Sequence, residues 1–357
     1  MHITGTWRRV RLTTAACACL VALTSCGEAV DGTSGGKTLV AANYGGVTGK
    51  ALKQELEDPY TRATGTTFQQ VNVGTGFAAK LQAQAQSQNV SWDVIEGLAG
   101  ADAAQLHDLG LLEPLPQNTK ARLEKVSLPG TVTDYGVALL ETGYVIACNT
   151  AKVAKCPADP AQFWDTTAFP GRRALPDNAA AMLATALIAD GVKAEDVYPI
   201  DTKRAFASMA RIKPQVAVWT TSGDQQMQVM RDQQVDMSIM WNGRAKALMD
   251  QGVKLRLEWS GSLVNPNYMV VVKGGPNTSE AMRYLEWYAT HPKEQAGLAK
   301  QLAYGMSNVD TARYLTESEA ALLPAAHADD NQVRLDPQWW VTNRKAVEQP
   351  WRELVGG

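Results

Sequence analysis

The sequence predicts an α/β protein made of two units, each a mostly parallel sheet flanked by helices. Buried strands alternate with helices along the chain, which is the pattern of parallel sheets. The same order of elements begins again in the second half, and 357 residues is about the length of two domains. Apolar residues make up 45% and charged residues 20%, a composition typical of globular proteins.

The first unit is predicted from three apolar segments separated by helical segments. The strand over 37–44 ends in a Gly-Gly turn, and the helix over 50–64 is closed by a glycine, as helices often are. A second strand over 67–73 leads through a Gly-Thr-Gly turn into a helix that ends at 88. A third strand covers 92–95.

The second unit is predicted from the same alternation further along the chain. Its strands cover 173–176, 215–219 and 235–241, and its helices cover 179–190, 204–212 and 223–232. A strand over 269–272 and a helix over 279–291 follow, and they return the chain to the first unit.

The first 25 residues have the features of a secretory signal peptide. Three arginines precede an apolar run over 12–23, which is shorter than the ~20 residues that a membrane-spanning helix needs. The run ends in Leu-Thr-Ser-Cys26-Gly, which resembles the lipobox of bacterial lipoproteins. We therefore expect removal of residues 1–25, a lipid anchor on Cys26 and a flexible tether over 26–37. An ordinary cleaved signal is the alternative.

Charge and cysteine content limit the possible functions. The 34 Lys and Arg against 36 Asp and Glu give a net charge of −2, without the basic surplus of nucleic-acid-binding proteins. The chain has four His and no CxxC, which argues against a metal site. Cys148 and Cys156 have seven residues between them. In an oxidising compartment they form a disulfide or remain as two buried thiols.

Motifs for cofactor binding and catalysis are incomplete or absent. Gly74-Thr-Gly-Phe-Ala-Ala79 with Asp93 has the spacing of a dinucleotide fingerprint, but such turns are common in α/β proteins and an exported lipoprotein has little access to NAD. The segment 45–50 fails as a P-loop because Ala51 replaces the Ser or Thr that binds magnesium. No HExxH, GxSxG or Cys/His pattern occurs. The sequence therefore predicts no enzymatic activity, no catalytic residues and no cofactor.

Two tryptophan-containing turns indicate a ligand-binding cleft. Trp219-Thr-Thr-Ser-Gly223 and Trp241-Asn-Gly-Arg244 each place an indole, small polar groups and a glycine at the end of a predicted strand. Ligands of open α/β sheets bind beyond the carboxyl ends of the strands, where an indole stacks on an apolar or cationic group. The alternative is that both tryptophans pack between the two units. Four other tryptophans lie in helical stretches and are predicted to be core: Trp287, Trp339, Trp340 and Trp351.

A set of short segments, in order along the mature chain, carries a family resemblance. The segments are Tyr44-Gly-Gly46, Asp58-Pro-Tyr60, Thr64-Gly65, Phe163-Trp-Asp165, Phe169-Pro-Gly-Arg172, Arg204-Ala-Phe206, Arg211-Ile-Lys-Pro214, the two tryptophan turns, Lys273-Gly274, Tyr304-Gly305 and Trp339-Trp340. No piece is decisive alone. Together they are similar to the extracellular solute-binding proteins of ABC importers, in the spermidine/putrescine branch.

The resemblance implies a two-lobed, type II periplasmic-binding-protein-like fold with two strands crossing between the lobes. Lobe 1 would comprise 38–142 and 267–308, and lobe 2 would comprise 143–266 and 309–357. Hinge closure would bury a small-molecule ligand between the lobes, and the closed form would dock on a membrane permease. The expected protein is a monomer, anchored to the cell membrane through Cys26 in a periplasm-like space.

The resemblance also implies which residues form the cleft. Its aromatic walls are Tyr44, Trp219, Trp241 and Tyr268. Its other lining residues are Gly45, Gly46, Ser222, Asn242, Arg244 and Tyr304.

The expected carboxylates of the cleft are largely missing from this sequence. Polyamine binders place carboxylates against the ammonium groups of the ligand, because a desolvated cation needs a charge partner. One such position falls on Asn267, which leaves Glu96, at the end of the third strand, and then Asp224. With Arg244 nearby, two ligand classes remain open: a polyamine, and an amino acid, amine derivative or aminophosphonate. An exported enzyme or a sensor lipoprotein on the same fold is the alternative to transport.

Overall fold

The computed structural model describes residues 37–74 and 76–356, together with residue 2. The predicted signal peptide, the predicted lipid anchor at Cys26 and nearly all of the predicted tether lie outside these residues. Among the residues described, no helix is both long enough and apolar enough to span a membrane.

The strands form a mixed sheet. Their bounds are β1 Thr38–Asn43, β2 Thr67–Asn72, β3 Val94–Ala99, β4 Gly136–Asn149, β5 Arg173–Pro176, β6 Val216–Thr220, β7 Met237–Trp241, β8 Leu255–Val271 and β9 Val333–Arg334. Over the described part of the chain their order is β2-β1-β3-β8-β4-β7-β5-β6, and β9 pairs with β8. Strands β1, β2 and β3 are mutually parallel at one end, and β5, β6 and β7 at the other.

Helices cover both halves of the sheet. Their bounds are α1 Gly46–Leu52, α2 Asp58–Thr64, α3 Phe77–Gln86, α4 Gly100–Asp108, α5 Gln117–Glu124, α6 Pro160–Trp164, α7 Ala179–Ala189, α8 Thr202–Ile212, α9 Gly223–Arg231, α10 Asn242–Asp250, α11 Thr278–Thr290, α12 Pro292–Leu302, α13 Glu317–Ala320 and α14 Pro337–Gly356. A π-helical stretch, Lys53–Glu57, joins α1 to α2. Strands followed by helices confirm the predicted α/β class.

Two long central strands connect the halves. Strands β4 and β8 have 14 and 17 residues, and they pair antiparallel along most of their length. Thr142 lies opposite Asn265, and Gly143 lies opposite Val264. The predicted lobe boundaries, 142/143 and 266/267, therefore fall inside these two crossing strands.

Each half has its own hydrophobic core. The lobe 1 core contains Leu52, Tyr284 and Leu302, and the lobe 2 core contains Ile146 and Leu183. Trp241 packs against both cores.

The segment after 309 does not belong to one lobe. Leu323 is part of the lobe 1 core and Leu315 packs against it, although the predicted boundary gives both to lobe 2. Helix α14 contacts α4 of lobe 1 and α7 of lobe 2. The chain after α12 stays on lobe 1 before β9 joins the crossing strand β8, so the C-terminal segment is shared.

A disulfide lies at the lobe 2 end of the first crossing strand. It joins Cys148 of β4 to Cys156, with a Cα–Cα distance of 5.9 Å. Cys148 is fully buried in the lobe 2 core, so the bond ties the loop before α6 to that core.

Candidate functional site

A cavity of about 340 Å³ lies where the first turns of α4 and α7 face each other. Helix α4 follows β3 of lobe 1, and α7 follows β5 of lobe 2. One face of α14 completes the wall. The volume is in the range of pockets for small molecules, and its position beyond the ends of parallel strands is the usual one in α/β proteins.

Polar side chains from distant parts of the chain meet at this cavity. Asp102 Oδ1, in the first turn of α4, is 2.8 Å from Arg344 Nη2 of α14. Trp351 Nε1 donates a hydrogen bond to Asp177 Oδ1, 2.7 Å away, at the end of β5. Helix α14 is therefore tied to both lobes beside the cavity.

Three tyrosines, which we call the phenol row, lie where the lobes meet: Tyr44, Tyr144 and Tyr304. The Tyr44 hydroxyl donates to Asn267 Oδ1 at 3.4 Å, and Asn178 Nδ2 donates to the Tyr144 hydroxyl at 3.3 Å. Asn178 also lines the cavity, so Tyr144 is hydrogen-bonded to a residue of the cavity wall.

Opposite charges act on different members of the phenol row. Burial raises the pKa of Tyr44, and the negative charge of Asp102 raises that pKa further, as do Tyr144 and Tyr304. Burial also raises the pKa of Tyr304, but the positive charge of Arg244 opposes this shift. Asp102 of lobe 1 therefore acts on Tyr44, and Arg244 of lobe 2 acts on Tyr304.

The guanidinium of Arg244 has fewer hydrogen-bond partners among the described residues than it has donors. Its Nη1 is 3.7 Å from Asp224 Oδ1, its side chain is 26% exposed, and its buried Nε has no hydrogen-bond partner among the described residues. A guanidinium has five N–H donors, and unfilled donors in a buried setting cost free energy. Arg244 can therefore accept an anionic partner.

The indole of Trp241 is also incompletely bonded. Its ring lies edge-on to Tyr144 with 6.0 Å between centroids. Its Nε1 has no hydrogen-bond partner among the described residues. Burial raises the pKa of Tyr144 to about 12, and the neighbouring Trp241 side chain partly opposes this shift. A polar ligand group beside Trp241 would satisfy this donor.

Glu96, the carboxylate predicted from the sequence, lies inside lobe 1 and not at the cleft. It is 0% exposed, and it accepts hydrogen bonds from Asn43 Nδ2 at 3.0 Å and from the Tyr284 hydroxyl at 2.7 Å. Its pKa is raised by burial and lowered by these donors. Because protein groups already satisfy it, we do not retain Glu96 as a ligand contact.

Tyr268 and Asn242 are also occupied by protein contacts. Tyr268 is 3% exposed and packs edge-on against Tyr135 in lobe 1, 5.8 Å between centroids. Asn242 is 1% exposed, and its amide is fully bonded to main-chain groups. Neither side chain is retained as a cleft wall.

The four other predicted residues lie at the ends of strands or helices. Trp219 is half-buried at the end of β6 and meets Trp351 edge-on at 5.8 Å between centroids. Ser222 is exposed, and its Oγ caps α9 by accepting a hydrogen bond from Gln225 N at 3.2 Å. Gly45 and Gly46, at the start of α1, have φ values of 66° and 56°.

Several site residues were missed from the sequence: Asp102, Tyr144, Asn178 and Arg344. Asn178 carries a detectable signal, since its side chain caps α7 just before an alanine-rich run. The other three reach the site through contacts between distant segments. Over the described ranges, no group of three or more His, Cys, Asp and Glu could hold a metal ion.

Comparisons with known proteins agree with this architecture. A model of the bacterial extracellular solute-binding protein family matches residues 55–322. The γ-aminobutyric acid-binding protein of Pseudomonas aeruginosa is 35% identical over 323 residues, which cover 88% of this chain and 89% of that protein.

Comparison with solved structures shows that the similarity includes the three-dimensional fold. The Atu4243-GABA receptor is 32% identical with a TM-score of 0.81, covering 89% of this chain and 98% of that chain. An ABC transporter substrate-binding protein from Bradyrhizobium japonicum USDA 110 is 29% identical with a TM-score of 0.82, covering 89% and 99%.

Proposed function

The chain belongs to the bacterial extracellular solute-binding proteins, and from that premise we propose that it captures a small ω-amino acid of the γ-aminobutyric acid type. Membership itself establishes the coarser role. The protein has the two-lobed type II fold, binds a small solute outside the cytoplasm for an ABC transporter, and is not an enzyme.

The observation that carries the proposal is a pair of opposite charges beside the phenol row, Asp102 on α4 of lobe 1 and Arg244 on α10 of lobe 2. An ω-amino acid has an ammonium group and a carboxylate at the two ends of a short apolar chain. Asp102 suits the ammonium group, and Arg244, whose Nε has no partner among the described residues, suits the carboxylate. The aromatic rings of the phenol row suit the methylene groups.

The relatives support the same ligand class. The Pseudomonas aeruginosa protein and the Atu4243 receptor are both named for γ-aminobutyric acid, whereas the polyamine branch has no specific support. A diamine in the same orientation would bring its second ammonium group next to Arg244, and like charges in a buried site repel. We therefore propose the zwitterion over the polyamine.

Isothermal titration calorimetry with four ligands of similar length tests the proposal. The ligands are γ-aminobutyrate, butyrate, butylamine and putrescine. We expect γ-aminobutyrate to bind tightest, and we expect removal of either charged group to weaken binding by at least about tenfold, since each loss leaves a charge unpaired. Tighter binding of putrescine than of γ-aminobutyrate would reverse the choice.

We also propose that the receptor is a monomeric lipoprotein, tethered through Cys26, that delivers its ligand to permease subunits. The Cys26→Ala variant should appear in the soluble fraction, while the parent chain stays with membranes. A variant that remains on membranes would argue against the lipid anchor. Uptake that persists in cells lacking the protein would favour a sensor role.

A further inference from the structure

Asn242 is the first residue of α10 and lies between two residues of the proposed site, Trp241 and Arg244. Although the sequence suggests a ligand contact, its side chain reaches main-chain groups of three separate segments. Its Oδ1 accepts a hydrogen bond from Gly143 N of the crossing strand β4 at 3.0 Å. Its Nδ2 donates to Leu322 O at 2.9 Å and to Ala303 O.

Two of these partners, Ala303 O and Leu322 O, lie on the opposite lobe from α10. Helix α10 packs in lobe 2, where Ala245 and Leu248 are buried with strand residues of β4 and β5. The partner carbonyls adjoin Leu302 and Leu323 of the lobe 1 core. One buried amide therefore connects lobe 2 to lobe 1 and to a strand that crosses between them.

The backbone contact around this amide is close. A Cβ on Gly243 would lie 2.2 Å from Leu302 O and 2.6 Å from Tyr304 Cε1, so only glycine fits. Ala303 has a φ of 54°, a left-handed conformation that is uncommon for alanine. The junction of β7 and α10 is thus pressed against the loop of lobe 1 that carries Tyr304.

We propose that Asn242 is a positioning residue, the pivot about which the lobes close, and that it does not touch the ligand. All three hydrogen bonds lie beside the crossing strands, where relative displacement of two hinged lobes is smallest. The pivot fixes the position of Trp241 and Arg244 of lobe 2 relative to Tyr304 of lobe 1. The inference depends on the two-lobed fold and not on which solute binds.

The Asn242→Asp variant tests the pivot, because it keeps the shape but replaces the Nδ2 donor with an oxygen that faces two carbonyls. The control is Asn343→Asp in α14, where Nδ2 donates only within its own helix, to Trp339 O at 2.8 Å. Small-angle X-ray scattering of the ligand-free proteins gives the radius of gyration. We expect a larger radius for Asn242→Asp and an unchanged radius for Asn343→Asp.

Ligand binding separates a pivot from a direct contact. Loss of the pivot should weaken γ-aminobutyrate and putrescine alike, by about tenfold or more, mainly through faster dissociation. An aspartate that touched the ligand would instead favour putrescine over γ-aminobutyrate. That preference, or a scattering profile identical to the parent, would overturn the inference.

Hydrogen exchange of the unmodified protein supplies a test that no folding defect can disturb. Because Gly143 N donates to Asn242 Oδ1, a pivot keeps this amide slow to exchange in the ligand-free protein and in the presence of γ-aminobutyrate. Fast exchange of Gly143 in the ligand-free protein would overturn the inference. This readout stands even if γ-aminobutyrate does not bind, so it is independent of the proposed function.

Discussion

Strand β3 in lobe 1 and the junction of β7 and α10 in lobe 2 both carry ionisable side chains, but they use them in opposite ways. In β3, Glu96 is buried and accepts hydrogen bonds from Asn43 and Tyr284. Its neighbour Glu57 accepts a hydrogen bond from Gln70 Nε2 at 2.7 Å. At the junction of β7 and α10, the Arg244 guanidinium lies 3.7 Å from Asp224, and its buried Nε has no hydrogen-bond partner among the described residues. Complete hydrogen bonding makes the first region structural, and incomplete bonding leaves the second open to a ligand.

Charge distinguishes the two regions as clearly as bonding does. Burial raises the pKa of Glu57 to about 9, and repulsion from Glu96 adds to the shift. The two buried acids therefore do not both ionise at neutral pH. The charge at the junction of β7 and α10 is instead that of the Arg244 guanidinium, whose side chain is 26% exposed. Lobe 1 therefore has an acid pair that is not fully ionised, whereas lobe 2 has a cation whose buried Nε lacks a hydrogen-bond partner among the described residues.

The largest effect is expected from Arg244→Ala, which removes the charge from the open region. Binding of γ-aminobutyrate should weaken by about 100-fold or more, since a desolvated carboxylate loses its partner. The melting temperature should change little, because the ion pair of Arg244 with Asp224 is long, at 3.7 Å, and its buried Nε makes no hydrogen bond among the described residues. Calorimetry and thermal unfolding measure the two quantities.

A matched control for Arg244 is available on α9. Arg231 Nε is 3.7 Å from Asp232 Oδ1, the same spacing as the Arg244–Asp224 pair, but this pair lies on the surface. Arg231→Ala should leave binding unchanged. Equal affinities for the two variants would remove Arg244 from the site.

A smaller loss is expected from Asp102→Asn, which removes the negative charge that acts on Tyr44. We expect γ-aminobutyrate to bind about tenfold more weakly, because the carboxylate of Asp102 is already shared with Arg344. Butyrate, which has no ammonium group, should be nearly unaffected. The control is Asp108→Asn on the exposed part of α4, and a similar loss for butyrate would contradict the assignment of the ammonium group to Asp102.

The smallest effect is expected from the buried acids Glu57 and Glu96, and it is an effect on the stability of the fold. Folded Glu57 holds a proton that the unfolded chain releases above its ordinary pKa of 4.5. Its contribution is therefore complete below pH 4.5 and is lost as the pH rises towards 9. In the parent protein, the melting temperature should fall by several degrees between pH 6 and 9.

The Glu57→Gln variant should flatten this pH dependence, because a glutamine cannot ionise. Differential scanning calorimetry across the same range measures the slope. Glu124→Gln on α5, where the side chain is about half exposed, should keep the slope of the parent. A Glu57→Gln profile as steep as that of the parent would mean that other groups cause the dependence.

The sequence predicts most of the scaffold because local signals mark it. Alternating strands and helices identify β1, β2, β5, β6 and β7 within a few residues, and both tryptophan turns lie at strand ends as expected. Strand β4 has no such signal, since all 14 of its residues are buried and no alternation appears. Strand β8 was predicted only over 269–272, because Gly261 and Pro266 interrupt the pattern.

The site is less predictable than the scaffold because its contacts are distant in sequence. Whether Glu96 faces the core or the cleft depends on Tyr284, which is 188 residues away. The hydrogen bond from Trp351 to Asp177 joins residues 174 positions apart in sequence. Trp351, predicted as a core residue, also lines the cavity. Local patterns cannot supply such pairings.

Helix α14 offers a position for a probe of the angle between the lobes. Because it rests on α4 from one lobe and α7 from the other, a change in the angle between the lobes must shift it against at least one of them. Arg352, near its end, is 75% exposed at the side chain. A solvent-sensitive dye attached through Arg352→Cys would convert the capture of solute into an optical signal and make the chain a biosensor.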